Sequence, residues 1–123
     1  MLEQQDIQNM LIELGALVNL KGFAYTVEAI HQYQHGILIT KELYPRIAKM
    51  FQTTPARVER NIRNIVNHIF KRVDPDEIYR VFGNIPSYES GKPTNTEFIS
   101  LIKLRLEQRE NHVKHTVSVF PTT

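Results

Sequence analysis

The stretch TTPARVERNIRNIVNHIF, Thr53–Phe70, spaces Val58, Ile62, Ile65, Val66 and Ile69 as one side of an amphipathic helix. Placed on a wheel at about 100° per residue, these five gather on one face. Arg57, Arg60, Asn61, Asn64, Asn67 and His68 gather on the opposite face, with Glu59 and Arg63 on the flanks. Thr54 can accept from the free amides of the first turn, and Pro55 at the first helical position has no donor to lose. The pattern predicts a helix over about 54–71. Its polar face carries arginines and amides with one flanking carboxylate, whereas an ordinary solvated helix interleaves Glu and Lys at four-residue spacing.

Working outward, the segment LYPRIAKMF is a short helix and QTT a tight polar link, which is helix-turn-helix spacing. Thr40 is the expected cap of that short helix, and Pro45 a kink or a restart after Tyr44. Upstream, a first helix is expected from about Asp6, with Ile7, Met10, Leu11 and Leu14 inward and Gly15 as its stop. A second helix follows the turn at LKGFAY and yields near Gly36, where Ile37–Ile39 suggests a brief extended piece. Downstream, Asp74, Pro75 and Glu77 open a short helix ending at Gly83. Thr94 and Glu97 open a sixth, with Phe98, Leu101, Ile102 and Leu106 inward and NIPSYESGKP as the loop before it. The fold class is all-α, a compact bundle of about six helices containing a helix-turn-helix. Residues 1–110 form that domain, and 111–123, without a clear stripe, form a flexible tail.

The 123 residues, 41% hydrophobic, suffice for one core. Without cysteine there are no disulfides, thiolate metal sites or cysteine nucleophiles. No apolar run approaches the roughly 20 residues that span a bilayer, and MLEQQDIQNM lacks the segments of a secretory signal. A cytoplasmic protein with no membrane partner is expected. The net charge of +2 is modest, but its distribution is uneven. Between Lys41 and Arg72 eight basic residues face two acidic ones, leaving seven against eleven elsewhere. One surface is thus suited to phosphates while the remainder stays acidic.

These features point to duplex DNA. A short helix packed across a longer one leaves the longer helix's first turns free to enter a major groove. Arg57 and Arg60 occupy those turns, where a guanidinium fork can bridge guanine O6 and N7. Glu59 can accept from cytosine N4 or orient a neighbouring arginine. Asn61 and Asn64 can pair similarly with adenine or hold a phosphate, and Lys49, Thr54, Arg63 and Lys71 are the candidates for backbone or supporting contacts.

Three ordered blocks then carry a resemblance: LGALVNLKGFAYTVEAI, ITKELYPRIAKMFQTTPARVERNIRN and GKPTNTEFISLIKLRLE, spanning Leu14 to Glu107. The chain resembles the carboxy-terminal DNA-binding effector domains of the stage-zero sporulation master response regulators of spore-forming Bacillota. The resemblance implies a six-helix fold whose fourth helix reads a short AT-rich box with a central G·C portion through RVER, here Arg57, Val58, Glu59 and Arg60. It implies backbone contacts for Arg63 and Asn64, and places Lys92 in a loop near DNA or a neighbouring subunit. It also implies tandem head-to-tail copies or a homodimer on DNA, and RNA polymerase as a further partner. Ala56 stands where serine is usual, and Asn61 and Asn64 where alanine and histidine are common, departures that bear on which box is read. Family members carry an amino-terminal receiver, for which Met1 directly before the first helix leaves no room. The expectation is a fragment or a stand-alone effector, and the tail favours the latter.

Other candidates are weaker. His31 and His35 have metal-ligand spacing on a helix but no third ligand, and His112 and His115 share that defect. Tyr44, Tyr79 and Tyr88 suit packing, and Thr94, Asn95 and Thr96 suit capping. No catalytic constellation, metal site or cofactor loop is present, so an enzyme is not expected. The functional reading is a sequence-specific double-stranded DNA-binding transcription regulator. The alternative is a protein-interaction module of the same fold that binds or sequesters another regulator.

Overall fold

A computed structural model of the chain describes residues 2–72, 74–83 and 92–119, with side chains as far as Asn111. Among these residues the fold is all-α: α1 (Gln4–Glu13), α2 (Lys21–Gln32), a π turn (Ile39–Leu43), α3 (Tyr44–Met50), α4 (Pro55–Arg72), α5 (Pro75–Phe82) and α6 (Asn95–Val119). Most of the expected loop 84–93, including Tyr88, lies outside the described residues, as does the chain after Val119.

The helix ends follow local chemistry. The Asp6 carboxylate accepts from the Glu3 amide at 3.2 Å, so Asp6 closes the first turn of α1 and the helix starts two residues earlier than expected. At the other end Gly15, with φ 90°, lets its own amide reach the Ile12 carbonyl and that of Ala16 the Leu11 carbonyl, both at 2.9 Å. Thr94 and Glu97 form the reciprocal pair read from the sequence: the Glu97 amide donates to Thr94 Oγ1 at 3.1 Å and the Thr94 amide to Glu97 Oε1 at 2.9 Å. The Asp74 carboxylate accepts from the Asp76 amide at 2.8 Å and opens α5.

Three expectations are corrected: Thr40 as a cap, Tyr79 as a packing residue, and His31 with His35 on one helix. Thr40 does not cap the segment before α3: Leu38 stands at the cap, its amide donating to Glu42 Oε1 at 3.1 Å, and Thr40 lies exposed inside the π turn. Pro45 accounts for the π turn, because it cannot donate to a preceding carbonyl and its ring crowds that of Lys41, so the Tyr44 amide reaches back to Ile39. Tyr79 is 65% exposed, since α5 buries Val81 and Phe82 with Ile78 beside them, and Tyr79 falls off that stripe. His35 lies beyond the end of α2, so His31 and His35 do not share a helix face. The backbone of α6 runs helical to Val119, with no Gly or Pro to interrupt it before Pro121 in the sequence.

The core is one cluster that draws on every α-helix. All five apolar residues on the α4 stripe are buried, each contributing roughly 2 kcal/mol. The most extensive packing is of α2 on α4. Gly22 makes it possible: it is buried within α2, and a Cβ there would lie 2.3 Å from the Asn61 carbonyl oxygen and 2.8 Å from Ile65 Cγ1. Phe70, Phe82 and Phe98 join α4, α5 and α6 with ring centroids 5.7 to 6.2 Å apart. Lys103 of α6 donates to the carbonyls of Ile30 and His31 at 3.1 and 2.9 Å, capping α2, and the burial this requires lowers its pKa. Arg105 likewise donates to the Phe82 carbonyl at the end of α5.

The Gly22 contact yields a test of the fold. Gly22→Ala is expected to cost about 1–3 kcal/mol, because one partner is backbone that cannot turn away. Urea unfolding measures the loss, and wild-type stability in this variant would contradict the close approach.

Candidate nucleic-acid interface

The turn that launches α4 is built from α3's own end. Beyond Met50, the Gln52 amide donates to the Lys49 carbonyl at 3.4 Å and the Thr53 amide to the Ala48 carbonyl at 2.9 Å. This is the pairing of a left-handed helix stop, and Gln52 adopts φ 54° to make it. Phe51 packs edge-on against Tyr25 of α2, centroids 5.0 Å apart, and pins the turn to the bundle. Thr54 then caps α4 as expected, accepting from the Arg57 amide at 3.3 Å through Oγ1 and from the Val58 amide at 3.0 Å through its carbonyl.

With the apolar stripe buried, Arg57, Arg60, Arg63 and Asn64 are exposed along the outer face of α4. Neither Arg57 nor Arg60 has an acidic partner among the described residues, so both forks are available to an incoming anion. Glu59 is not free: its carboxylate is paired with Arg63 one turn on, their side chains 41% and 53% exposed. Asn61 donates from Nδ2 to the Arg57 carbonyl at 2.7 Å, bracing the first turn from within. Lys49 and Lys71 are exposed in the last turns of α3 and α4.

Glu59, Arg63 and Asn67 line one side of a shallow groove of about 540 Å³, and Lys92 with the start of α6 lines the other. Lys92 and Arg63 thus line the same groove, while Lys49 and Lys71 do not. One residue at its floor exceeds its expected role. Asn95, 9% exposed, donates from Nδ2 to the Glu59 carbonyl at 3.0 Å and to the Tyr44 hydroxyl at 3.2 Å. Tyr44 is 4% exposed, and burial raises its pKa above the ordinary phenol value, so the hydroxyl keeps its proton at neutral pH. A sequence signal for Asn95 existed: it lies on the stripe of Phe98, Ile99 and Ile102, where a polar residue must find a partner inside.

The family profile described as the C terminal of sporulation initiation factor Spo0A matches residues 7–106. The chain belongs to this family. A Spo0A C-terminal domain is a DNA-binding effector domain, so double-stranded DNA is the partner and transcription regulation the role to which the exposed arginines must be fitted. The matched stretch includes all of α2 to α5 and both walls of the groove, whereas α6 continues beyond it from 107 to 119. No helix among the described residues is long and apolar enough to cross a membrane.

Two measurements check this local construction. Gln52→Gly removes the left-handed strain and is expected to stabilise the protein by about 0.5–1 kcal/mol. That is a rise in Tm of roughly 2–5 °C in a thermal melt. Glu59→Ala breaks a half-exposed ion pair and is expected to cost no more than roughly 0.5 kcal/mol in urea unfolding, so a larger loss of DNA binding in that variant belongs to the interface.

Proposed function

We propose that the chain regulates transcription by reading a short AT-rich box with a central G·C portion, α3 and α4 acting as a helix-turn-helix. The observation that carries this reading is the pair Arg57 and Arg60, exposed and without acidic partners in the first two turns of a helix whose other side is buried. In a major groove those turns bring each guanidinium within reach of a guanine edge. Glu59 joins them when Arg63 transfers its fork from the carboxylate to a phosphate, an exchange of one charge-assisted contact for another. Lys49, Thr54, Arg63, Asn64, Lys71 and Lys92 then hold the backbone, and Asn61 supports the turn that carries Arg57. The resemblance supports tandem head-to-tail copies and contact with RNA polymerase, and the activity belongs in the cytoplasm with no enzymatic step.

Selection of duplexes from a random pool tests the reading directly. An enriched box is expected, with log affinity falling linearly as log salt rises. Arg60→Ala is expected to cost about 1–3 kcal/mol on that box and far less on a scrambled duplex. Lys71→Ala should weaken both about equally. No duplex binding at low salt would reject the proposal in favour of a protein-interaction module, and equal loss on both duplexes in Arg60→Ala would make Arg60 a phosphate anchor.

A further inference from the structure

The Asn95 amide holds a position that neither capping nor ordinary core packing requires. Thr94 and Glu97 already satisfy the start of α6, so the Asn95 side chain is free to point inward. There it meets two elements at once: Tyr44, the first residue of α3, and Glu59, between the two base-facing arginines of α4. The Glu59 contact is to the backbone. A carbonyl oxygen can only accept, so the nitrogen of Asn95 must face it, and an acid, a hydroxyl in another place or an apolar group cannot substitute. The contact is part-buried and Asn95 itself only 9% exposed, so water makes good its loss only in part.

Its effect is to fix the reading turns of α4 from a third direction. The buried stripe holds the helix against α2 and α3, but a stripe of aliphatic side chains allows small rotations and slides along the axis that cost little. A directional bond to the Glu59 carbonyl does not. The same residue lies on the segment that carries Lys92 across the groove, so it sets the distance between a basic loop and the arginines of α4.

We infer that Asn95 is a positioning residue for base discrimination: through its bond to the Glu59 carbonyl it holds the first turns of α4 at the angle from which Arg57 and Arg60 reach base edges. The inference rests on the proposed DNA reading. Phosphate contacts come from long, flexible side chains that tolerate a shift of an ångström, whereas bidentate base contacts do not. Loss of Asn95 should therefore lower specificity and leave non-specific affinity in place.

The test compares binding of the full chain to its selected duplex and to a scrambled duplex of the same composition. The variants are Asn95→Ala, the neutral near-isostere Asn95→Leu, and Tyr44→Phe, which leaves the Glu59 bond intact. Folding of each is verified by circular dichroism. The ratio of the two affinities is expected to fall about tenfold in both Asn95 variants, with scrambled-duplex binding within about threefold of wild type and Tyr44→Phe retaining the ratio to within the same margin. An unchanged ratio in a folded Asn95 variant overturns the inference, as does equal loss on both duplexes. A Tyr44→Phe ratio as low as that of Asn95→Leu also overturns it, by assigning the effect to general packing. A wild-type chain that binds no duplex rejects the DNA reading itself, a separate outcome. Should both Asn95 variants unfold, hydrogen exchange in the wild type decides. The Arg63 amide, which closes the helical turn on the Glu59 carbonyl, is expected to exchange as slowly as those of the buried Ile62 and Ile65, and exchange as fast as in a frayed first turn overturns the role.

Discussion

At Gly22 the backbones of α2 and α4 come so close that a single added carbon would collide with the Asn61 carbonyl, and the rest of the molecule is arranged around that approach. It sets α4 deep enough for Val58, Ile62, Ile65, Val66 and Ile69 to be buried. Depth on one side determines exposure on the other. A helix of this length seated less deeply would lose part of its apolar contact and present a broader, more mobile polar face. Seated as it is, α4 offers only the arc that carries Arg57, Arg60, Arg63 and Asn64. The neighbouring elements then act as stops: the left-handed turn at Gln52 fixes where the helix begins, and the ring cluster of Phe70, Phe82 and Phe98 holds its far half.

Two kinds of interaction divide the work along α4. Those that locate its backbone are directional, as in the part-buried Asn95 bond to the Glu59 carbonyl or the exposed Thr54 cap. Those that face outward are long side chains with weak or no internal partners. The Glu59–Arg63 pair belongs to the second kind, since half-exposed charges one turn apart contribute little to stability and exchange partners readily. A binding surface of this type gains affinity from charge, which salt screens, and discrimination from backbone placement, which salt does not affect. The acidic balance outside 41–72 serves the same division by discouraging DNA from lying on the other faces.

What could be read from sequence was what short-range chemistry determines. The caps at Thr54, Asp74 and Thr94 and the wheel of α4 depend on residues within one or two turns, and the structure places them as the pattern indicates. The missed features need a partner distant in the chain. Gly22 looked like a turn glycine because LKG resembles a turn, and only the approach of α4 shows why a side chain is excluded there. Asn95, between two threonines, suits capping by sequence, but its partners are 36 and 51 residues away. Tyr79 suits packing by residue type, but its place off the α5 stripe leaves it exposed. The π turn is a compromise between Pro45 and the need to bring Leu43 inward, which no propensity scale anticipates.

The departures from the family pattern at Asn61 and Asn64 act by different routes. Asn61 uses its amide on the Arg57 carbonyl, 2.7 Å away, a bond that the alanine common at this position cannot make. It therefore stiffens the turn that carries Arg57, and under the proposed docking acts on reading through geometry. Asn64 is exposed and replaces a histidine common in the family. A histidine there would titrate near neutral pH and strengthen a phosphate contact as it gained a proton. An asparagine carries no charge at any pH, so under the proposed docking this point of contact is a hydrogen bond of constant strength. The proton dependence and part of the salt dependence that the family residue would bring are absent from it, and the burden of non-specific affinity shifts to the lysines and to Arg63.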